Sequence, residues 1–120
     1  LQRLRDVLEA RLMALPGAQR NGSGTRVPNT TNLSFEDTEA ESLLMALDLA
    51  GIAVSTGAAC AAGAVEPSHV LRGMGLPLRR VQGSLRFSLG RSTTEADVAR
   101  VAEAMAGILE RHRAMAHARR

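Results

Sequence analysis

The chain holds a single cysteine, Cys60, in a run of small residues: Ser55-Thr56-Gly57-Ala58-Ala59-Cys60-Ala61-Ala62-Gly63-Ala64. A thiolate is a strong nucleophile where it is reachable and its charge is supported. Small flanking side chains leave the sulfur open, and Gly57 and Gly63 allow the segment to move. The same composition also suits an inert Cys that packs as a small hydrophobe in an Ala-rich turn. Composition alone leaves both readings standing. One thiol cannot close an internal disulfide and is a poor start for a zinc site. No metal site is expected, and a reducing, cytoplasmic setting fits.

Arg86 is the second residue with chemical potential. It alternates with Leu85, Phe87 and Leu89 in a strand-like run, so its side chain leaves the core for a cleft, a partner or water. A planar guanidinium can grip a carboxylate through two parallel hydrogen bonds, although an ordinary exposed Arg fits the pattern equally well. His69 follows Cys60 at a distance that permits a Cys–His pair. Its neighbours Glu66, Pro67 and Ser68 read instead as the start of a short helix. His112 and His117 fall near the end of the chain, and Asn29 and Asn32 suit the ordering of a loop. No metal-ligand cluster, phosphate-binding loop or serine triad is visible.

The elements that must position these residues follow from periodicity. Leu1, Leu4, Leu8, Leu12 and Leu15 form one helix face that Pro16-Gly17 ends. Residues 17–29, rich in Gly, Asn, Ser and Pro, read as a loop. Thr31, Leu33 and Phe35 alternate with polar residues and predict a strand. Thr38 with Glu41 predicts a capping box for a second helix, whose face is Ala40, Leu43, Leu44, Leu47 and Ala50. Ile52-Ala53-Val54 predicts a short strand before the Cys60 segment. Pro67 suits the first turn of a short helix through Arg72. A third strand covers Leu85 to Leu89. Ser92 with Glu95 predicts the cap of a last helix, whose stripe is Val98, Val101, Met105, Ile108 and Leu109. The expected fold is α+β: a small, mostly antiparallel three-stranded sheet with helices packed on one face, in a single domain spanning residues 1–120. The Leu and Met stripes belong to the core.

Hydrophobic residues make up 45% of the 120, which argues against disorder of the whole chain. With two Phe and no Trp or Tyr, the chain lacks the aromatic platforms that single-stranded nucleic acid needs. No apolar run is long enough to span a bilayer. The formal charge is +3, and every basic residue is Arg. The cluster Arg111, Arg113, Arg119 and Arg120 could meet an acidic partner, and it also suits a solvated helix end. Leu1-Gln2-Arg3-Leu4-Arg5 is not a signal peptide, and the missing initiator Met hints at a piece of a longer chain.

Several blocks together resemble the cysteine desulfurases of the branch that serves nitrogen fixation and general iron–sulfur assembly. Ser55 to Cys60, followed by Glu66-Pro67-Ser68-His69-Val70-Leu71-Arg72, is similar to the family's active-cysteine loop and the helix after it. Leu85-Arg86-Phe87-Ser88-Leu89-Gly90-Arg91 with Thr93-Thr94-Glu95 is similar to its last strand and terminal helix. Pro28-Asn29, Asn32 to Phe35 and Glu41-Ser42-Leu43 fit as well, so the resemblance covers nearly the whole chain. Thr56 and Ala58 stand where the family usually carries Ser, and Ala61 and Ala62 where it often carries hydroxyl residues.

The resemblance implies the small C-terminal domain of a fold-type-I, pyridoxal-phosphate enzyme related to class V aminotransferases. It implies that L-cysteine is converted to L-alanine, with Cys60 as nucleophile and persulfide carrier and Arg86 as the holder of the substrate carboxylate. It further implies a sulfur acceptor such as an iron–sulfur scaffold or a thiolation relay, and a homodimeric complete enzyme. A sulfur that meets both a bound substrate and an external acceptor needs a mobile carrier, so residues 55–64 are expected to form a mobile active-cysteine loop. The family holds its cofactor by a Schiff base to a Lys amine, and this chain contains no Lys. No residue here is therefore assigned to cofactor binding. The large domain is expected to be missing, and the chain alone to be inactive. Two other readings remain: a non-enzymatic, partner-binding module, and a selenocysteine lyase or true aminotransferase of the same fold.

Overall fold

The computed structural model describes residues 2–21, 29–49, 64–67 and 75–118. The elements in chain order are α1 (Gln2–Met13), β1 (Ala18–Arg20), β2 (Thr30–Phe35), α2 (Ala40–Leu49), β3 (Ala64–Pro67), α3 (Leu78–Gln82), β4 (Ser84–Ser88) and α4 (Glu95–Ala118). The α+β class is as expected, but the sheet has four strands rather than three, in the order β1-β2-β4-β3. All neighbours pair antiparallel.

Both additional strands are short edge strands, which explains why their sequences do not announce them. Ala18-Gln19-Arg20 lies in the stretch expected to be loop, and has no apolar alternation. It becomes a strand because its backbone pairs with β2, Ala18 opposite Phe35 and Arg20 opposite Leu33. Gly17, at φ +78°, makes the reversal from α1 into β1, in a conformation that a side chain would strain. Its carbonyl accepts the Glu36 N–H at 2.9 Å. Pro67 was expected in a helix and instead ends β3, opposite Leu85. The missing N–H of a proline is tolerated there because, among the described residues, β3 is an edge strand with a partner on one side only. The rest of that expected helix, residues 68–72, and the expected strand at Ile52-Ala53-Val54 lie outside the described residues.

The helix starts also differ in detail. Helix α2 begins at Ala40, and Thr38 does not cap it with Glu41; its hydroxyl donates to the Phe35 carbonyl at 2.6 Å. This bond closes a turn in which Asp37 takes a left-handed conformation, φ 59°. The box at α4 is built by Thr94 and Asp97 rather than Ser92 and Glu95. The Thr94 N–H donates to Asp97 Oδ2 at 2.9 Å, and the Asp97 N–H donates to Thr94 Oγ1 at 3.1 Å. The two residues satisfy each other's N–H groups, as a capping box does. Helix α3 was not expected; it follows Pro77, whose ψ of 142° keeps it out of the helix.

One contiguous core joins the helices to one face of the sheet. Leu8 and Leu12 of α1, Leu43 and Leu47 of α2, and Val98, Val101, Met105 and Ile108 of α4 meet Leu33, Phe35, Val65, Leu85 and Phe87 from β2, β3 and β4. This bears out the core role of the Leu and Met stripes and the packing of α1, α2 and α4 on one face, whereas α3 adds no side chain to that cluster. Burial of each large side chain is worth about 1.5–3 kcal/mol relative to exposure.

Gly83, between α3 and β4, is fixed by close backbone approach. A Cβ there would lie 2.6 Å from the Phe35 carbonyl oxygen and 3.0 Å from that of Thr38. The Phe35 oxygen is not free to retreat, because the Phe35 N–H donates to the Gly83 carbonyl at 2.9 Å and the Phe35 carbonyl accepts the Thr38 hydroxyl at 2.6 Å. Gly83→Ala is expected to cost about 2 kcal/mol of stability through this overpacking. Denaturant titration checks it: a lower midpoint at an unchanged slope is expected, and an unaltered midpoint would refute the close-approach account.

Candidate active site

The placement of Arg86 follows from the residues on either side of it. Leu85 and Phe87 are fully buried, and strand geometry sends the intervening side chain to the opposite face. A slip of one residue would drive Arg86 into the core, so hydrophobic burial fixes its direction. The face it occupies is polar. Across β2 and β4, Thr30 pairs with Ser88, Asn32 with Arg86, and Ser34 with Ser84. On the other side of β4, Glu66 of β3 stands opposite Arg86.

Arg86 and Glu66 form an ion pair through Nη2 and Oε1. Their side chains are 45% and 41% exposed. The row Asn32, Arg86, Glu66 is extended beyond β1 by Asn21, whose Nδ2 donates to Asn32 Oδ1 at 2.9 Å and to Ser84 Oγ at 3.0 Å. Asn21 is held in turn by Arg80 of α3, whose Nε donates to Asn21 Oδ1 at 2.7 Å. A second Arg80 nitrogen donates to the Arg20 carbonyl at 3.0 Å. These bonds tie β1, β2, β4 and α3 together on the face that carries Arg86. That face presents the Arg86 guanidinium with the Glu66 carboxylate beside it.

The other sequence candidates fall as follows. Cys60 and His69 lie outside the described residues, as do residues 55–63 of the segment 55–64 expected to be mobile; Ala64, its last residue, begins β3. Asn29 has the ordering role expected of it. Its carbonyl accepts the Leu89 N–H at 2.8 Å and its Nδ2 donates to the Leu89 carbonyl at 3.3 Å, joining the start of β2 to the end of β4. Asn32 lies in the expected strand, on the polar face of β2, and holds Asn21: the Asn21 N–H donates to its carbonyl at 2.9 Å and Asn21 Nδ2 donates to its Oδ1 at 2.9 Å. His112 and His117 fall on α4. Nδ1 of His112 lies 2.8 Å from the Ile108 carbonyl one turn back, a contact within its own helix.

Among the described residues, no three His, Cys, Asp or Glu side chains are grouped to hold a metal. A concavity of about 740 Å³ is lined by Phe35, Asp37, Pro77, Arg79 and Gln82 among others, and neither Arg86 nor Glu66 borders it. Glu66 is the site residue that sequence reasoning missed. Pro67 drew it into a helix start, whereas alternation with the buried Val65 is the signal that places it on a strand, facing the same way as Arg86.

The fold agrees with known proteins. A family model described as aminotransferase class-V matches residues 1–101, and the chain belongs to that family. It is 53% identical over 115 residues to the cysteine desulfurase of Trichormus azollae, a match that covers 94% of this chain and 29% of that protein. It is 46% identical over 114 residues to the cysteine desulfurase of Klebsiella pneumoniae, covering 93% of this chain and 29% of that protein. The solved NifS-like protein of Rickettsia africae superposes with a TM-score of 0.75 at 31% identity, over 91% of this chain and 28% of the other. A sugar aminotransferase from Streptococcus pneumoniae, at 13% identity and a TM-score of 0.59, shares the fold. The chain spans about 29% of the length of the curated relatives named here.

The family implies pyridoxal phosphate. The amine that would hold it as a Schiff base has no counterpart here, since no Lys occurs among the 120 residues. These 120 residues therefore contain no amine side chain able to form that Schiff base.

Proposed function

We propose that this chain is the sulfur-accepting and carboxylate-binding part of a cysteine desulfurase. The observation that carries the proposal is the 53% identity to a cysteine desulfurase over 94% of the chain. The outward placement of Arg86 supports it.

In this reading Arg86 binds the α-carboxylate of L-cysteine and Cys60 is the nucleophile. The Cys60 thiolate bonds to the substrate sulfur, and the bond from that sulfur to the substrate β-carbon breaks. The electron pair of the broken bond stays with the carbon, which gains a proton and becomes the methyl group of L-alanine. Cys60 keeps the sulfur as a persulfide for transfer to an acceptor, such as an iron–sulfur scaffold protein or a thiolation relay. In the family, pyridoxal phosphate serves as the electron sink for this cleavage; it would be held by the large domain of the complete enzyme. The complete enzyme is proposed to be a cytoplasmic homodimer. Among the described residues no helix is long and apolar enough to cross a membrane.

This division of labour has a direct test. The chain supplied with pyridoxal phosphate and L-cysteine is expected to release no L-alanine above background, whereas the complete enzyme containing it releases L-alanine catalytically. Turnover by the 120 residues alone, or a complete enzyme inert toward L-cysteine, would overturn the proposal.

A further inference from the structure

The partner of Arg86 is itself a carboxylate. Glu66 and Arg86 face each other across adjacent antiparallel strands, so their Cβ atoms lie about 5 Å apart whatever rotamers the side chains take. The β3–β4 ladder therefore keeps the Glu66 carboxylate within reach of the guanidinium. The contact brings Nη2 of Arg86 against Oε1 of Glu66. A free carboxylate approaching the same group can form two parallel hydrogen bonds, the stronger arrangement. Both side chains are partly exposed, so the pair adds little to stability. Its consequence falls on whatever anion arrives next.

We propose that Glu66 is a positioning residue for substrate: its carboxylate occupies Arg86 as a stand-in for the substrate carboxylate, and gives up the guanidinium when that carboxylate binds. The inference rests on the reading of Arg86 as the carboxylate site. Glu66 keeps the guanidinium directed along the sheet until substrate arrives. It also charges every incoming anion for displacing it, which favours ligands able to bind Arg86 with two hydrogen bonds over those able to form one. Removing the Glu66 charge, while keeping the shape and an acceptor oxygen, takes away a competing anion within a few ångströms of the incoming one.

The test uses the complete enzyme and two small ligands, L-alanine and ethylamine, which differ by the carboxylate. Affinity is read by calorimetry and by competitive inhibition of L-cysteine turnover. Glu66→Gln is expected to bind L-alanine about tenfold more tightly and to leave ethylamine inhibition unaltered. A structural disturbance would alter both ligands. In the Arg86→Ala background, Glu66→Gln is expected to have no effect on L-alanine, because Glu66 acts through Arg86. Unchanged or weaker L-alanine binding in Glu66→Gln, with Arg86→Ala still weakening it, overturns this inference alone. Full L-alanine affinity in Arg86→Ala instead overturns the assignment of Arg86, and the inference falls with it.

Discussion

Cys60→Ala in the complete enzyme is expected to lower turnover of L-cysteine by about three orders of magnitude or more, with little change in KM. The reason is that no other residue of the chain can do this work. Cys60 is its only thiol, and the reaction requires a nucleophile that bonds to sulfur and then holds it. An alanine side chain has no lone pair to offer. Serine is an equally severe replacement, since an alkoxide is formed far less readily than a thiolate near neutral pH and does not carry sulfur as a persulfide. Substrate binding is assigned to other groups, so the loss belongs in kcat rather than KM. The same variant separates the competing readings. A true aminotransferase of this fold would not need Cys60, and its activity would survive the replacement. Retained release of L-alanine from L-cysteine by Cys60→Ala would refute the nucleophile assignment.

Arg86→Ala is expected to raise KM for L-cysteine by about a hundredfold. A charge-assisted, two-bond grip on a carboxylate is worth roughly 3 kcal/mol in a site closed to water, and this converts to about that factor. The replacement leaves the fold in place, because the side chain is 45% exposed and lies on the polar face, while the flanking Leu85 and Phe87 that hold the strand are untouched. Arg86→Lys is the informative companion. It keeps the charge and loses the planar fork, so it is expected to recover only part of the binding. Steady-state kinetics on the two variants checks this. Equal KM values for Arg86→Ala and the parent would remove Arg86 from the site.

Much of this geometry was legible in the sequence. The alternation of Leu85, Phe87 and Leu89 around Arg86 is borne out by the burial of all three apolar residues. The stripes of α1, α2 and α4 identify the helix faces that cover the sheet. What the sequence concealed was pairing. Ala18-Gln19-Arg20 has no strand pattern of its own and is ordered by hydrogen bonds to β2. Glu66 and Pro67 resemble a helix start by composition, yet the edge of a sheet accepts a proline equally well, and only the register with β4 reveals the difference. The same limit hid the Glu66–Arg86 contact, because twenty residues separate the two in sequence and the partnership arises from strand pairing. The shift of the α4 cap from Ser92 to Thr94 has a local cause. Thr93 Oγ1 accepts the Gly90 N–H at 3.0 Å, and the Thr93 N–H donates back to the Gly90 carbonyl at 3.1 Å. This turn carries the chain past Ser92 before the helix begins.

The central claim is that Cys60 takes the sulfur of L-cysteine. Its most direct test is the mass of the Cys60-containing peptide after the complete enzyme reacts with L-cysteine in the absence of reductant and acceptor. The account predicts a peptide heavier by one sulfur atom, with one L-alanine released per sulfur retained, and no such gain in Cys60→Ala. L-alanine released in the first turnover with the Cys60 peptide unmodified would contradict it.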